Sequence, residues 1–197
     1  MESQNEPLDR EEIRRRLGTV CRPPEEYGPV PAPWRPAAVL IGLLDGPGGP
    51  SIILTQRTED LEHHPGQISF PGGKIELGDA RPEDAALREA FEEIGLPPGK
   101  VELLGCLPPH DTVSNFRVYP FVGWIEPPVV YRMDQREVAA VFEVPLAFVL
   151  DPENHRFDSL VVGGVKHTFY VIEYEERRIW GATAGMLVAF ARVLRTV

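Results

Sequence analysis

Apolar positions along this chain fall into runs that predict a mixed set of elements. Ala37–Leu44 is continuously apolar and reads as a buried strand, and Ser51–Arg57 reads as a second. Between them, Asp45-Gly46-Pro47-Gly48-Gly49-Pro50 is turn chemistry. Residues 58–70 form a loop closing on a short extended piece, Gln67–Phe70. Val101–Leu107, Arg117–Ile125 and Lys166–Tyr174 read as further strands, and Glu137–Leu150 as a strand followed by a short helix, divided at Pro145. Asp9-Arg10-Glu11-Glu12 resembles a capping box opening a helix that carries Ile13 and Leu17. A second helix runs from about Pro82 to Ile94 and stops at Gly95, with Pro97 just beyond. Ala182–Arg195 closes the chain as a helix with Met186, Leu187, Phe190 and Leu194 on one side. Cys21–Pro36 is proline-rich and reads as an extended arm. The expected architecture is α/β, a layered α/β/α sandwich with a mixed sheet over residues 37–197, preceded by a helix and arm over 1–36.

Composition narrows the function. The 197 residues are 43% hydrophobic, enough for one substantial core. Acidic residues outnumber basic ones, 30 to 20, for a formal charge of −10, and only Arg14-Arg15-Arg16 forms a basic run. That balance argues against a nucleic-acid partner. An anionic small-molecule substrate would need something to reverse the local field, and a divalent cation does so. No apolar run approaches ~18 residues, so no membrane span is expected, and the polar, acidic start does not read as a signal peptide. Cys21 and Cys106 show neither CxxC nor zinc spacing and are expected as two reduced thiols of a cytoplasmic protein. Monomer and homodimer both remain open.

The chemistry concentrates in the second helix. At roughly 100° per residue, Glu89, Glu92 and Glu93 share an arc of about 100°, with Leu87, Ala90, Phe91 and Ile94 opposite. The expectation is that the apolar face packs on the sheet and the carboxylates project away from it. Like charges at this spacing cost about 0.2–0.5 kcal/mol per pair, little enough that a solvated acidic face is an alternative. The adjoining Phe70-Pro71-Gly72-Gly73 favours a site instead, because glycine lets a backbone carbonyl, that of Gly73, approach an ion. Carboxylates plus a carbonyl suit Mg²⁺ or Mn²⁺, and Arg88 can brace one carboxylate.

These residues resemble a known family. Gly73-x5-Asp79-x8-Arg88-Glu89-Ala90-Phe91-Glu92-Glu93-Ile94-Gly95-Leu96 is similar to the Nudix box, G-x5-E-x7-R-E-U-x-E-E-x-G-U, U being a bulky apolar residue. Asp79 stands where Glu is usual, the next spacer is one residue longer, and Ala90 takes the first U position. The resemblance implies a metal-dependent pyrophosphate hydrolase using Mg²⁺ or Mn²⁺. Arg88, Glu89, Glu92 and Glu93 would be its catalytic residues, Glu89 and Glu93 as ligands and Glu92 as ligand or base.

The segment Leu54-Thr55-Gln56-Arg57-Thr58-x3-Glu62-x3-Gly66-x3-Phe70-Pro71-Gly72-Gly73 resembles the coenzyme A pyrophosphatase branch, roughly L-L-T-x-R-S-x3-R-x3-G-x3-F-P-G-G. Glu62 reverses the charge of an arginine there, and His63 and His64 stand beside it. Arg57, Gly66 and Phe70 on this stretch, with His64 placed to reach a pyrophosphate, are the candidate substrate residues. Glu137 is the preferred further carboxylate, for metal or as general base, over Glu143. Phe116, Tyr119, Trp124 and Trp180 read as core aromatics. Other Nudix substrates (ADP-ribose, NADH, nucleoside triphosphates) and a non-catalytic nucleotide-sensing module are the rival readings.

Overall fold

In a computed structural model, residues 8–61 and 64–196 are described, so Glu62 and His63 lie outside the described residues. The elements in order are α1 (Arg10–Leu17), β1 (Arg35–Leu44), β2 (Ser51–Arg57), β3 (Ile68–Ser69), β4 (Gly72–Lys74) and α2 (Pro82–Ile94). β5 (Val101–Cys106), β6 (His110–Asp111), β7 (Phe116–Ile125), β8 (Val138–Pro145) and α3 (Leu146–Leu150) follow. β9 (Arg156–Val162), β10 (Val165–Tyr174), β11 (Arg177–Trp180) and α4 (Gly181–Arg195) complete the chain. Among the described residues no helix is long and apolar enough to cross a membrane.

Among the described residues, eight strands form one mixed sheet. β1 pairs β7 in parallel from Arg35↔Phe116 to Leu44↔Ile125, and the remaining pairings are antiparallel. Helices cover both faces. Ala85, Ala86, Ala90 and Ile94 of α2 pack with Leu40, Ile53, Phe121 and Ile125. On the other face Leu187 and Phe190 of α4, with Ile13 and Leu17 of α1, join Ile41, Leu43, Leu54 and Val122. The strand alternation of β1 and β7 feeds both layers, which is why their sequences read as unbroken apolar runs. The α/β/α layering expected from the sequence is present.

One irregularity makes the site. β1 and β2 pair only at Leu43↔Ile52 and Leu44↔Ser51, then separate. β3 fills the gap on the β2 side, pairing Thr55↔Ser69, and β4 fills it on the β1 side, pairing Ala38↔Gly73. The Phe70–Gly73 segment therefore crosses between diverging strands, tied by Leu40 N–H to the Pro71 carbonyl at 2.9 Å. β4 was not expected: two of its three residues are glycine, which carries no strand signal. β6, β9 and β11 were also missed, two being short and β9 carrying Asp and Ser among its apolar positions.

The two cysteines differ from the expectation of separate thiols. Cys21 and Cys106 form a disulfide, with Cα atoms 5.0 Å apart. They lie 85 residues apart, and only the return of the N-terminal segment across β5 brings them together.

A carboxylate site at the diverging strands

Helix α2 is well specified locally. Pro82 opens it, Asp84 accepts the Arg81 backbone N–H at 3.1 Å, and Glu83 and Asp84 place negative charge in the first turn. It ends at Gly95 (φ 70°), whose N–H reaches the Phe91 carbonyl at 2.9 Å, with Leu96 N–H on the Ala90 carbonyl. The last carbonyls of α2 are also met from outside: Arg132 N–H donates to Ile94 O at 2.8 Å and Asp134 N–H to Glu93 O at 2.9 Å. These bonds dock residues 132–137 against the helix end and carry Glu137 towards the site.

The helix is rotated relative to the expected orientation. The buried residues are Ala85, Ala86, Ala90, Glu93 and Ile94, an arc with Glu93 near its middle. Glu93 is 5% exposed, whereas Phe91, expected on the sheet, is 54% exposed. The reason is the gap beneath the helix. With glycines at 72 and 73 instead of side chains, the helix can set a carboxylate there, and the small residues Ala85, Ala86 and Ala90 let it sit close.

Both glycines are required by approach. A Cβ on Gly72 would lie 2.7 Å from Val39 Cα, and one on Gly73 2.5 Å from Glu89 Cδ. Gly72 N–H donates to Glu93 Oε2 at 3.3 Å. Burial, then the charge of Glu89, pushes the Glu93 carboxyl up to about 8; Glu137 adds to the rise, while Gly72 N–H and Arg57 oppose it. Burial also raises Glu89, against the pull of Arg88. Burial is thus the main obstacle to charging Glu93 and Glu89, and the neighbouring carboxylates add to it.

Arg88 organises the rim. Asp79 grips its Nε and Nη2 at 3.0 Å each, Lys74 O accepts from Nη2 at 3.1 Å, and Nη1 reaches Glu89 at 2.9 Å and Glu92 at 3.2 Å. These bonds from Arg88 hold the Asp79 carboxyl below its usual range and raise the guanidinium. Asp79 also accepts the Glu76 N–H at 2.8 Å, which fixes the loop before the helix. Sequence comparison gave Asp79 no role beyond an unusual box position; in the fold it positions Arg88.

The other predicted site residues divide. Arg57 and Glu137 come within electrostatic reach of Glu93, and among the described residues Arg57 Nε is buried without a hydrogen-bond partner. Glu92 sits at the exposed edge, held by Arg88. Gly66 (φ 66°) makes a turn, its N–H on Thr58 O at 3.3 Å and Glu59 packed against it. His64 is exposed on the same loop. Phe70 departs from its expected place against substrate: its ring is 2% exposed in the core, so it anchors the turn instead. Glu143 is turned to the Tyr131 hydroxyl at 3.4 Å. Among the described residues, no three His, Cys, Asp or Glu side chains form a finished metal cage. Arg88 draws Glu89 and Glu92 outward while Gly72 holds Glu93 inward.

The NUDIX domain model matches residues 33–160. The chain belongs to the Nudix family. Its curated relatives include the protein named Uncharacterized Nudix hydrolase NudL of Escherichia coli (strain K12), 44% identical over 153 residues, 78% of this chain and 79% of that one. The Shigella flexneri protein of the same name is 43% identical over 157 residues, covering 80% and 81%. Among solved structures, a Caenorhabditis elegans Ap4A hydrolase binary complex overlays with a TM-score of 0.49 at 19% identity, over 56% of this chain and 80% of that one. A Nudix hydrolase from M. smegmatis, RenU, gives 0.49 at 23% identity, over 57% and 71%. The matched region contains the whole Nudix box, so the protein is a Nudix pyrophosphohydrolase, and α2 with its preceding loop is that box in three dimensions.

Proposed function

We propose that the protein hydrolyses the pyrophosphate of coenzyme A, and of its thioesters or oxidised forms, to 3′,5′-ADP and 4′-phosphopantetheine. Within the family, the reading is carried by the stretch from Leu54 to Gly73 that resembles the coenzyme A branch. That stretch runs through β2, β3 and β4 around the gap, and Arg57 lies on it with a buried Nε that has no partner among the described residues. A phosphate oxygen accepting from Arg57 would satisfy that donor with a charge-assisted bond.

Glu89, Glu92 and Glu93, with the Gly73 carbonyl and Glu137, are assigned to hold Mg²⁺ or Mn²⁺. The donors are all oxygen, and Glu93 is an acid whose charged form is disfavoured by burial and by the nearby Glu89, which suits a hard divalent cation. When bound, the cation would lower the pKa of the attacking water and neutralise phosphate oxygens. The chain does the rest. Arg57 orients the pyrophosphate, Arg88 keeps Glu89 and Glu92 in register, and Glu92 or Glu137 takes the proton from water.

The test is a substrate panel in Mg²⁺, with coenzyme A, ADP-ribose and NADH compared by initial rate and products identified by mass spectrometry. Preferential formation of 3′,5′-ADP and 4′-phosphopantetheine is expected. Equal or faster turnover of ADP-ribose or NADH would defeat the assignment, as would calorimetric binding of coenzyme A without cleavage.

A further inference from the structure

The strand β3 is only two residues long, yet both of its carbonyls accept threonine hydroxyls. Thr55 of β2 donates to Ser69 O at 3.2 Å, and Thr183 of α4 donates to Ile68 O at 3.0 Å. Among the described residues, Thr183 is one of three buried polar or charged side chains, at 7% exposure. Its helix packs with the core on the far side of the sheet from α2, so it has no direct access to the carboxylates.

What it touches does have access. Gln67 O, one residue before Ile68, accepts the Arg57 N–H at 2.9 Å, and Phe70 through Gly73 follow β3 directly. β3 has two register pairs to β2, Thr55↔Ser69 and Gln56↔Ile68. A buried carbonyl stripped of its donor is left unsatisfied, a penalty large enough to shift a strand held so lightly.

We propose that Thr183 is a positioning residue: by donating to Ile68 O it fixes β3, and through β3 it sets Arg57 and the Phe70–Gly73 turn at the spacing from Glu93 that a pyrophosphate requires. The proposal rests on the reading of Arg57 as the phosphate contact. It assigns a catalytic consequence to a helix that contributes no group to the chemistry.

Thr183→Val removes the donor while keeping the branched shape, and Thr183→Ser keeps the donor. Hydrogen–deuterium exchange on the full chain needs no turnover. T183V should speed exchange in peptides spanning 64–73 while peptides from α2 and β7 stay protected, and T183S should match the parent protein. In steady-state assays with Mg²⁺ and coenzyme A, T183V should raise KM roughly tenfold and lower kcat by a smaller factor, since a misplaced Arg57 weakens binding of substrate and transition state alike while the displaced turn disturbs the carboxylates less. T183S should restore KM. Unchanged exchange over 64–73 would overturn the proposal, and so would a loss of kcat at constant KM. If the parent protein does not turn over coenzyme A, the substrate reading fails and exchange alone decides the role of Thr183. Should T183V not fold, Thr183→Ala carries the same comparison.

Discussion

Asp79 holds Arg88 in a two-point grip, both bonds 3.0 Å long, nine residues before it in the chain. The bond pair turns the guanidinium so that its remaining nitrogen lies between Glu89 and Glu92. Asp79→Ala would free Arg88 to collapse fully onto the carboxylates. Losing such an orienting partner typically costs roughly 10–100-fold in metal affinity. A Mn²⁺ titration by calorimetry should show that drop with the fold intact; an unchanged affinity would refute the positioning role.

Glu93 gives a pH dependence of definite sign. Its folded value of about 8 lies above the ordinary 4.5, so folding favours its protonated form. Its contribution to stability is full below the ordinary Glu range and is lost as pH rises through about 8. The metal-free protein should therefore lose thermal stability from pH 5 to 8 more steeply than Glu93→Gln. Mg²⁺ binding near pH 7 should release protons, and its affinity should climb across the same window. Thermal melts at several pH values, with and without EDTA, check this. A parallel pH profile for E93Q would contradict it.

Gly73→Ala places a methyl group against the Glu89 carboxylate, 2.5 Å from its Cδ. Glu89 must swing away, and metal-dependent turnover should fall by roughly tenfold or more. Gly78 lies in the loop that follows β4, with open space around its would-be Cβ, so Gly78→Ala should keep activity. Assaying the two side by side separates a steric effect at Glu89 from a general stiffening of the loop.

Phe91 provides a control for the observed helix orientation. It is 54% exposed, so Phe91→Ser should change stability by no more than about 0.5 kcal/mol. A large fall in the denaturant midpoint would restore the orientation inferred from the helical wheel.

The wheel illustrates what could be read and what could not. Periodicity set Glu89, Glu92 and Glu93 on one arc of the helix, because spacing alone fixes which residues lie near one another on it. It could not say which face the neighbours cover. That depended on β1 and β2 parting after two register pairs, a long-range event that leaves a gap under the helix. Phe70 misled for a related reason: a motif places a residue near a site without stating whether its side chain points to substrate or to core.

By itself the sequence determined the boundaries of α2, through Pro82 at one end and Gly95 at the other. It also determined the carboxylate register and the glycine turn that makes room for it. Those are local matters, decided by capping, backbone freedom and a repeat of about 3.6 residues. Tertiary structure alone decided that Glu93 is buried rather than solvated, that Asp79 serves Arg88, and that Cys21 meets Cys106. Each joins segments through packing and strand register, and such contacts depend on where the chain returns, which no local pattern encodes.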